Sequence, residues 1–416
     1  MLKEFKKLLL TNNLDGYVVP KNDEYFSEYA YPDRLFKISK FSGSAGFAII
    51  LKKNNYLFVD GRYVLQAKNQ SGKNFFIREV PNILPKDLPN IKGKKIGFDP
   101  KLFTSNTLKK YFEYNSKLVP IKIKFNNKFK KKINKIYYLN DKITGESFIQ
   151  KIKKVKKFLN LKKINYLYIS AGENINWLLN IRGKDLPNSP LVNCKLILTD
   201  KGKIFFFTNL KKVDNSIRKY LKNIIFCNEE DFIQTIINLK KGRFCIDKNT
   251  CSVFDEQIIK SKFNITSITD PLYFFKSIKN RTEINNTIKV HIEDGVALTK
   301  FLYWFKNNTK PISEIQIEKK LENFRKRSKN YLFPSFETIA GSGPNGAIIH
   351  YKSNSLTNRK IGKNDLLLID SGGQYKWGTT DVTRTTCRGK ISDSKKNIFT
   401  RVLKGHIAVF LCNINK

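Results

Sequence analysis

The chain has 416 residues, and its 78 Lys and Arg against 35 Asp and Glu give a formal net charge of +43. This length corresponds to about two to four domains, and a hydrophobic content of 41% is enough for packed cores, which excludes wholesale disorder. No stretch approaches the ~20 apolar residues of a membrane helix, and the six scattered cysteines, which lack CxxC or metal-ligand spacing, indicate a reducing cytoplasm rather than a disulfide framework.

Helix and strand patterns alternate in the first two segments of the chain, which predicts α/β layers in both. The predicted elements of the first segment are a helix at Leu2–Leu10 and strands at Gly16–Val19, Phe47–Leu51 and Tyr56–Val59. Those of the second are a helix at Gly145–Leu159 and strands at Tyr166–Ser170, Leu196–Leu198 and Ile204–Phe207. The lysine-rich run Lys122–Lys135 lies between them, so we expect domains at residues 1–137 and 143–273.

A third domain is expected at residues 274–416, where two predicted helices are followed by short strands separated by glycines. It opens with an amphipathic helix at Thr282–Asn307, and Ser313 with Gln316 resembles a capping box that begins a second helix ending at Arg327. Glycine-punctuated strands and a last helix are predicted after it, at Thr338–Ser342, Gly346–Tyr351, Leu366–Ile369, Thr379–Thr386 and Lys395–Leu411.

The high positive charge does not by itself indicate a nucleic-acid-binding protein. The lysines are scattered through every segment, whereas a nucleic-acid-binding protein is expected to cluster them on one face or in a tail. The abundance of Lys, Asn, Ile, Phe and Tyr is equally typical of a genome of low GC content. We therefore expect no specific nucleic-acid partner and no membrane partner, but nonspecific, salt-dependent binding to polyanions.

Two aspartates carry the main chemical signal of the sequence. Asp370 ends an apolar run, Gly372 and Gly373 make a turn, and Asp381 follows eleven residues after Asp370. Antiparallel strands joined by such a turn can bring both carboxylates to one side of a sheet, where they repel one another unless a cation lies between them. Hard oxygen ligands favour Mg, Mn or a similar divalent ion. The alternative is that Asp370 caps the turn and Asp381 pairs with Arg384.

A histidine follows a glycine-rich stretch in Gly343–Tyr351, GPNGAIIHY. Taken alone, His350 is typical of a core or rim histidine. A catalytic role for His350 is favoured by the small number of histidines in the chain, since the only others are His291 and His406. A neutral imidazole beside a metal centre can donate a hydrogen bond to a substrate carbonyl or to a developing oxyanion.

These segments resemble the cytosolic three-domain Xaa-Pro aminopeptidases (aminopeptidase P) of metallopeptidase family M24. The resemblance is strongest in GPNGAIIHY, in LLLIDSGGQYKWGTTDVTRT from Leu366 and in VLKGHIAV from Val402. It extends over nearly the whole chain through four further segments, Ser39–Ile49, Phe58–Ala67, Asn176–Val192 and His291–Trp304.

The resemblance implies a mixed α/β and α+β fold, with two creatinase-type N-terminal α/β domains followed by a pita-bread metallopeptidase domain. It implies a dinuclear metal centre, usually manganese, in which Asp381 would bridge the two ions and Asp370 would bind one. His350 matches a histidine of the substrate pocket that stabilises the tetrahedral intermediate. Arg62 matches a first-domain arginine that reaches a neighbouring subunit's site in a homodimer, or else it forms a surface salt bridge.

The implied reaction is removal of the N-terminal residue from a peptide that has proline in second position, in the cytoplasm. The family's other three ligands, a histidine and two glutamates, would follow Lys416, and His406 matches a helix residue that is not a ligand. We therefore expect the pita-bread domain to be incomplete, to expose strand edges and apolar helix faces, and to be inactive as residues 1–416, with two carboxylates that bind metal weakly.

Two other interpretations remain open. A non-catalytic protein of the same fold would bind peptides or proteins, although such proteins usually lose metal ligands by substitution, and Asp370, Asp381 and His350 are all retained here. Prolidases and creatinases share the catalytic domain but usually carry one N-terminal domain, whereas this chain has two.

Overall fold

The structure is a computed structural model that describes residues 2–28, 30, 32–113, 115–123 and 133–412. Most of the lysine-rich run at Lys122–Lys135 therefore lies outside the described residues. The chain divides into two compact units, Met1–Asn286 and Thr287–Lys416. Within the described part of the chain, no helix combines the length and the hydropathy needed to span a membrane.

The first unit begins with a six-stranded sheet. Its strands are β1 (Gly16–Pro20), β2 (Phe47–Leu51), β3 (Asn55–Asp60), β4 (Phe76–Val80), β5 (Lys95–Phe98) and β6 (Lys117–Pro120). The sheet order is β4-β3-β2-β1-β5-β6, with antiparallel pairing at β3–β2 and β2–β1 and parallel pairing elsewhere. The helices of this region are α1 (Leu2–Thr11), α2 (Arg34–Ser39), α3 (Val64–Ser71) and α4 (Ser105–Phe112). Every residue of β1 and β2 is buried, so these strands read as continuous apolar runs.

A second sheet of six strands follows in the same unit. The strands of this region are β7 (Tyr137–Tyr138), β8 (Tyr166–Ile169), β9 (Ile181–Arg182), β10 (Lys195–Thr199), β11 (Ile204–Phe207), β12 (Ile224–Cys227), β13 (Phe244–Ile246) and β14 (Ile265–Ser267). The sheet order is β12-β11-β10-β8-β13-β14, with antiparallel pairing at β11–β10 and β10–β8 and parallel pairing elsewhere. β7 and β9 form a separate pair. The helices are α5 (Asp141–Thr144), α6 (Phe148–Leu161), α7 (Gly172–Leu178), α8 (Asn215–Tyr220), α9 (Phe232–Asn238), α10 (Val253–Lys260) and α11 (Pro271–Ser277).

The boundary between the two units, after Asn286, lies inside the long helix α12 (Arg281–Asn307), most of which belongs to the second unit. The remaining elements are α13 (Glu314–Arg325), β15 (Tyr331–Pro334), β16 (Ile339–Ser342), β17 (Leu367–Ser371), β18 (Gly373–Tyr375), β19 (Gly378–Thr379), β20 (Val382–Thr386) and α14 (Asp393–Leu411). The strands form two small sheets, β15-β18-β19 and β16-β17-β20, and all their pairings are antiparallel. The predicted helix start is confirmed, since Gln316 Oε1 accepts the N–H of Ser313 at 2.8 Å and α13 begins at Glu314.

The core of the second unit lies between the two long helices and β16–β17. Phe301 and Phe305 on α12 and Ile317 and Leu321 on α13 are fully buried there, and each contributes about 1.5–3 kcal/mol by leaving water. In contrast, no residue of α14 is buried, and its apolar side chains face outward. The core therefore fixes α12, α13 and β17 relative to one another, whereas it does not hold α14.

One sequence prediction about this unit is wrong. Residues 346–351 do not form a strand; a short 3₁₀ helix at Gly343–Ala347 precedes a turn that ends at His350. Gly343 has a positive φ of 54° and Pro344 fixes the next φ, which begins the helical turn. The predicted strand at Thr379–Thr386 is also interrupted, because Asp381 lies between β19 and β20.

Candidate metal centre

Asp370 lies near the end of β17 and points away from the core. Burial alternates along this strand, with Leu367, Ile369 and Ser371 buried and Asp370 half-buried on the opposite face. Thr383, its partner residue on β20, donates its hydroxyl to Asp370 Oδ1 at 2.9 Å. Strand geometry therefore presents the carboxylate at the surface of the sheet while one of its oxygens is held from β20.

The structure brings Asp381 into contact with Asp370. Asp381 is exposed and directly precedes β20, and its carboxyl group is within hydrogen-bonding distance of the Asp370 carboxyl. Partial burial raises the pKa of Asp370, and the Asp381 charge raises it further, while Thr383 and the imidazole of His350 lower it. Two carboxyl groups in contact share a proton or hold a cation. The alternative pairing of Asp381 with Arg384 is not among the ion pairs of the described residues, and the Arg384 side chain instead donates to the Thr383 carbonyl at 2.8 Å.

His350 lies close enough to Asp370 for its charge to act on that carboxyl group. Its φ is +57°, the left-handed region, which costs a non-glycine residue about 1–3 kcal/mol and persists only where the surroundings hold it. The structure thus brings together three of the four predicted site residues, Asp370, Asp381 and His350, on one side of the second unit.

Arg62, the fourth predicted residue, lies in the first unit. Its guanidinium forms a two-point ion pair with Asp60, Nη2–Oδ2 2.8 Å and Nε–Oδ1 2.9 Å, and stacks near the Tyr63 ring. About half of the Arg62 side chain is exposed. Within this chain Arg62 therefore has the contacts of a surface salt bridge.

A buried polar cluster that the sequence analysis did not identify lies behind Asp370. Arg325, at the end of α13, donates to both carboxylate oxygens of Asp294 on α12, at 2.7 and 3.2 Å, and to Ser371 Oγ at 3.1 Å. Tyr375 donates its hydroxyl to Asp294 Oδ1 at 2.7 Å. Burial and the Asp294 carboxylate both raise the pKa of Tyr375. The cluster attaches Ser371, the neighbour of Asp370, to the helical layer.

A second buried carboxylate, also missed, lies beneath the His350 loop. Glu314 is fully buried, and its oxygens accept hydrogen bonds from Ser342 N at 2.8 Å, Arg359 N at 3.0 Å and Tyr351 Oη at 2.9 Å. Asn345 Nδ2 also donates to both of its oxygens, at 3.1 and 3.0 Å. A sequence signal existed, because Glu314 and Arg325 lie on the buried stripe of α13 with Ile317 and Leu321 at helical spacing.

The donor types at Asp370 and Asp381 fit a hard divalent cation, since both side chains are carboxylates and they lie next to each other. The number of donors is smaller than a complete site needs. Among the described residues, no group of three or more His, Cys, Asp or Glu is arranged to hold a metal ion. The structure therefore presents two adjacent carboxyl groups with an imidazole near them.

Comparison with protein families divides the chain into three matched regions. Residues 1–127 and 127–283 each match a family described as the creatinase/prolidase N-terminal domain, and residues 286–412 match metallopeptidase family M24. The predicted combination of two creatinase-type domains and a metallopeptidase domain is therefore confirmed.

Curated relatives match nearly the whole chain. A protein of Laccaria bicolor named "Probable Xaa-Pro aminopeptidase P" is 33% identical over 98% of this chain and 67% of its own length. An Xaa-Pro aminopeptidase of Drosophila melanogaster is 33% identical over 95% of this chain and 68% of its own length. The chain thus spans about two thirds of the length of these relatives.

Solved structures agree with this assignment. The crystal structure of an X-prolyl aminopeptidase from Caenorhabditis elegans, described as a cytosolic enzyme with a di-nuclear active site, superposes with a TM-score of 0.85 at 26% identity, covering 92% of this chain and 67% of that one. An Xaa-Pro dipeptidase from Bacillus anthracis shares the fold at 19% identity and a TM-score of 0.51 over 63% of this chain and 71% of that one. The three family matches and the 33% identity to the curated Xaa-Pro aminopeptidases show that the chain belongs to the Xaa-Pro aminopeptidases of metallopeptidase family M24.

Proposed function

We propose that this chain acts in the hydrolysis of peptides with proline in second position, releasing the N-terminal residue, and that Asp370 and Asp381 hold two divalent ions, with manganese as the native metal. The observation that carries the proposal is the contact between these two carboxyl groups, with His350 beside them, in an aminopeptidase of this family. The domain boundaries proposed with it are residues 1–137, 143–273 and 274–416.

Each residue of the site has a role that its position supports. Asp370 and Asp381 concentrate negative charge at one point, and Thr383 occupies one oxygen of Asp370 so that the other can face the ion. Divalent ions held there supply a Lewis acid for the scissile carbonyl and a water of lowered pKa. His350 donates a hydrogen bond from its imidazole N–H to the carbonyl oxygen on which negative charge develops during the reaction.

Three further features belong to the proposal. The relatives act as Xaa-Pro aminopeptidases, and the C. elegans enzyme is described as cytosolic, which supports a cytoplasmic location for this chain. About half of the Arg62 side chain is exposed, and its ion pair with Asp60 holds it at the surface of the first unit. A second subunit can reach it there, which supports a role for Arg62 in the substrate site of a homodimer. A prolidase-like activity has less support, because the prolidase-type structure covers 63% of the chain against 92% for the aminopeptidase.

The metal role is tested by titrating the chain with Mn²⁺ and measuring free Mn²⁺ by electron paramagnetic resonance. We expect Asp370→Asn and Asp381→Asn each to weaken binding at least tenfold. Asp393→Asn removes the same charge from an exposed pair with Lys396 and is the matched control. Unchanged binding in the double variant of Asp370 and Asp381 would overturn the assignment.

The substrate class is tested with Ala-Pro-Ala and Ala-Ala-Ala. In a protein that also supplies the family's three other ligands, we expect Mn²⁺-dependent release of alanine to be confined to the proline peptide and to disappear in Asp381→Asn, whereas residues 1–416 alone should release none. Equal release from both peptides contradicts the Xaa-Pro assignment. If neither peptide reacts in the protein with the complete ligand set although Mn²⁺ binds at the two aspartates, the binding-protein interpretation replaces the enzymatic one.

A further inference from the structure

Helix α13 contacts both halves of the candidate site, one at each end. Its first residue, Glu314, lies beneath the loop that carries His350, and its last residue, Arg325, contacts Ser371 beside Asp370. Both side chains are fully or almost fully buried, at 0% and 1% exposure. We propose that α13 is a positioning element that sets where His350 lies relative to Asp370; the proposal rests on the function proposed above.

At the N-terminal end, Glu314 holds the loop on both sides of His350. Tyr351 and Asn345 donate to its carboxylate, and Asn345 Nδ2 lies 2.9 Å from Tyr351 Oη. Burial raises the pKa of Tyr351 to about 12, so its hydroxyl stays a donor. Because Tyr351 directly follows His350, this bond fixes the chain direction at the residue with the left-handed backbone.

The next turn of α13 extends the same attachment. Glu318, four residues after Glu314, accepts the hydroxyl of Ser353, and Lys352 pairs with Glu337 at 2.6 Å. Two of the three residues after His350, Tyr351 and Ser353, are thus bonded to carboxylates on one face of α13, while the Lys352 pair is exposed to solvent. Such redundancy is what keeps a non-glycine residue in a left-handed conformation.

At the C-terminal end, Arg325 fixes the strand that carries Asp370. Asp294 orients the guanidinium through two hydrogen bonds, and the remaining donor of the same Nη2 group reaches Ser371 Oγ. Ser371 points to the core while Asp370 points to the site. The hydrogen bond to Ser371 therefore limits the tilt of β17 at the residue next to the metal ligand.

Variants at the two ends of α13 should have separable effects, because Glu314 contacts the loop that carries His350 and Arg325 contacts the strand that carries Asp370. Loss of the Glu314 end should displace His350 and leave the aspartates in place, whereas loss of the Arg325 end should disturb the aspartates and leave His350 in place. A role limited to stability would lower the melting temperature in either case and move neither His350 nor the metal affinity selectively.

The experiment uses the full chain labelled with ¹³C at histidine Cε1. Its three histidines give three resonances, which His291→Gln and His406→Gln assign. Paramagnetic Mn²⁺ broadens the nearest resonance first, so His350 is expected to broaden before the other two in the wild-type chain. The metal-free position and width of the His350 resonance give a second readout that requires no metal.

For the Glu314 end, Tyr351→Phe removes a single hydroxyl group and Glu314→Gln keeps the side-chain shape. We expect both to shift the metal-free His350 resonance and to reduce its Mn²⁺ broadening several-fold at unchanged Mn²⁺ affinity. Glu322→Gln, in a surface pair with Lys326 on the same helix, is the control. A wild-type His350 resonance in a folded Tyr351→Phe chain overturns this half of the proposal.

For the Arg325 end, Arg325→Lys keeps the charge but cannot make the three planar hydrogen bonds. We expect Mn²⁺ affinity to fall at least fivefold while the metal-free His350 resonance stays in place. Wild-type affinity in Arg325→Lys overturns this half. If Mn²⁺ binding does not depend on Asp370 and Asp381 at all, the proposed function fails, while the metal-free His350 resonance still decides the Glu314 half.

Discussion

Asp294 and Arg325 form a two-point ion pair inside the second unit, with 4% and 1% of their side chains exposed and an Nε–Oδ1 distance of 2.7 Å. Two further side chains join the pair, since Tyr375 donates to Asp294 Oδ1 and Ser371 Oγ accepts from Arg325 Nη2. Removing one member leaves a buried charge without its counterion, which is the costly way to break such a pair.

We therefore expect Asp294→Leu and Arg325→Met each to lower the free energy of unfolding of the second unit by about 3–5 kcal/mol. The double variant Asp294→Leu with Arg325→Met should cost less than the sum of the two, because no charge remains unpaired. Urea denaturation followed by near-ultraviolet circular dichroism measures both quantities. Strict additivity would show that the two side chains do not interact.

Gly372 lies where the chain leaves β17 for the next sheet. A Cβ atom placed there would lie 2.0 Å from the carbonyl oxygen of Thr380 and 2.2 Å from Ser335 Oγ. Since Thr380 O accepts the Ser335 hydroxyl at 2.8 Å, neither atom can move without losing that bond. We expect Gly372→Ala to cost about 1–3 kcal/mol of stability.

The matched control for this substitution is Gly405→Ala on α14. Nothing lies within 4 Å of a Cβ at that position, and alanine is the better helix former by about 1 kcal/mol. Thermal unfolding of the two variants should therefore shift in opposite directions. A stable Gly372→Ala chain would mean that the turn between β17 and β18 adapts to a side chain.

Asp270 gives the first unit a defined pH dependence. It is buried, caps α11 by accepting the Leu272 N–H at 2.9 Å and accepts from Asn174 Nδ2 at 2.7 Å. Burial raises its pKa from 3.8 to about 6. The folded chain therefore keeps a proton that the unfolded chain releases, so this group's contribution to stability falls as the pH rises through that window.

The measurement is the difference in free energy of unfolding between the wild-type chain and Asp270→Asn across that pH range. We expect the wild-type chain to lose stability relative to the variant from about pH 4 to about pH 6 and to stay level above it. A constant difference would indicate that Asp270 titrates normally in the folded chain.

Arg62 allows a test that separates folding from function. Its pair with Asp60 is exposed, so we expect Arg62→Ala to change the free energy of unfolding by less than about 1 kcal/mol. If Arg62 completes the substrate site of a second subunit, the same variant should reduce turnover or peptide affinity at an unchanged melting temperature. Size-exclusion chromatography with light scattering shows whether the subunits still associate.

The sequence predicted that Asp370 and Asp381 lie close together, but it predicted only part of the structure of the segment that connects them. The glycine-rich turn was interpreted as a single connection between two strands, whereas β18 and β19 form their own hairpin there, in the other small sheet. Period-two alternation identifies a strand but not the sheet it joins, since that depends on contacts with β15, about 40 residues earlier in the chain.

The supporting residues were missed for a related reason. Asp294, Glu314 and Arg325 lie on apolar helix stripes, and a charged residue there is usually taken as a break in the stripe. Only the tertiary structure shows that each meets hydrogen-bond partners on other elements. The strand predicted at residues 346–351 fails for a local reason, because the 3₁₀ helix at Gly343–Ala347 and the left-handed backbone of His350 interrupt the extended conformation that a strand needs.

The two six-stranded sheets of the first unit have the same strand order and the same pattern of parallel and antiparallel pairing. Each has two antiparallel pairings in its interior, one parallel strand on one side and two on the other. This repeated strand order agrees with the two N-terminal family matches, which carry the same description, creatinase/prolidase N-terminal domain. The first unit, Met1–Asn286, therefore contains the same domain type twice in tandem.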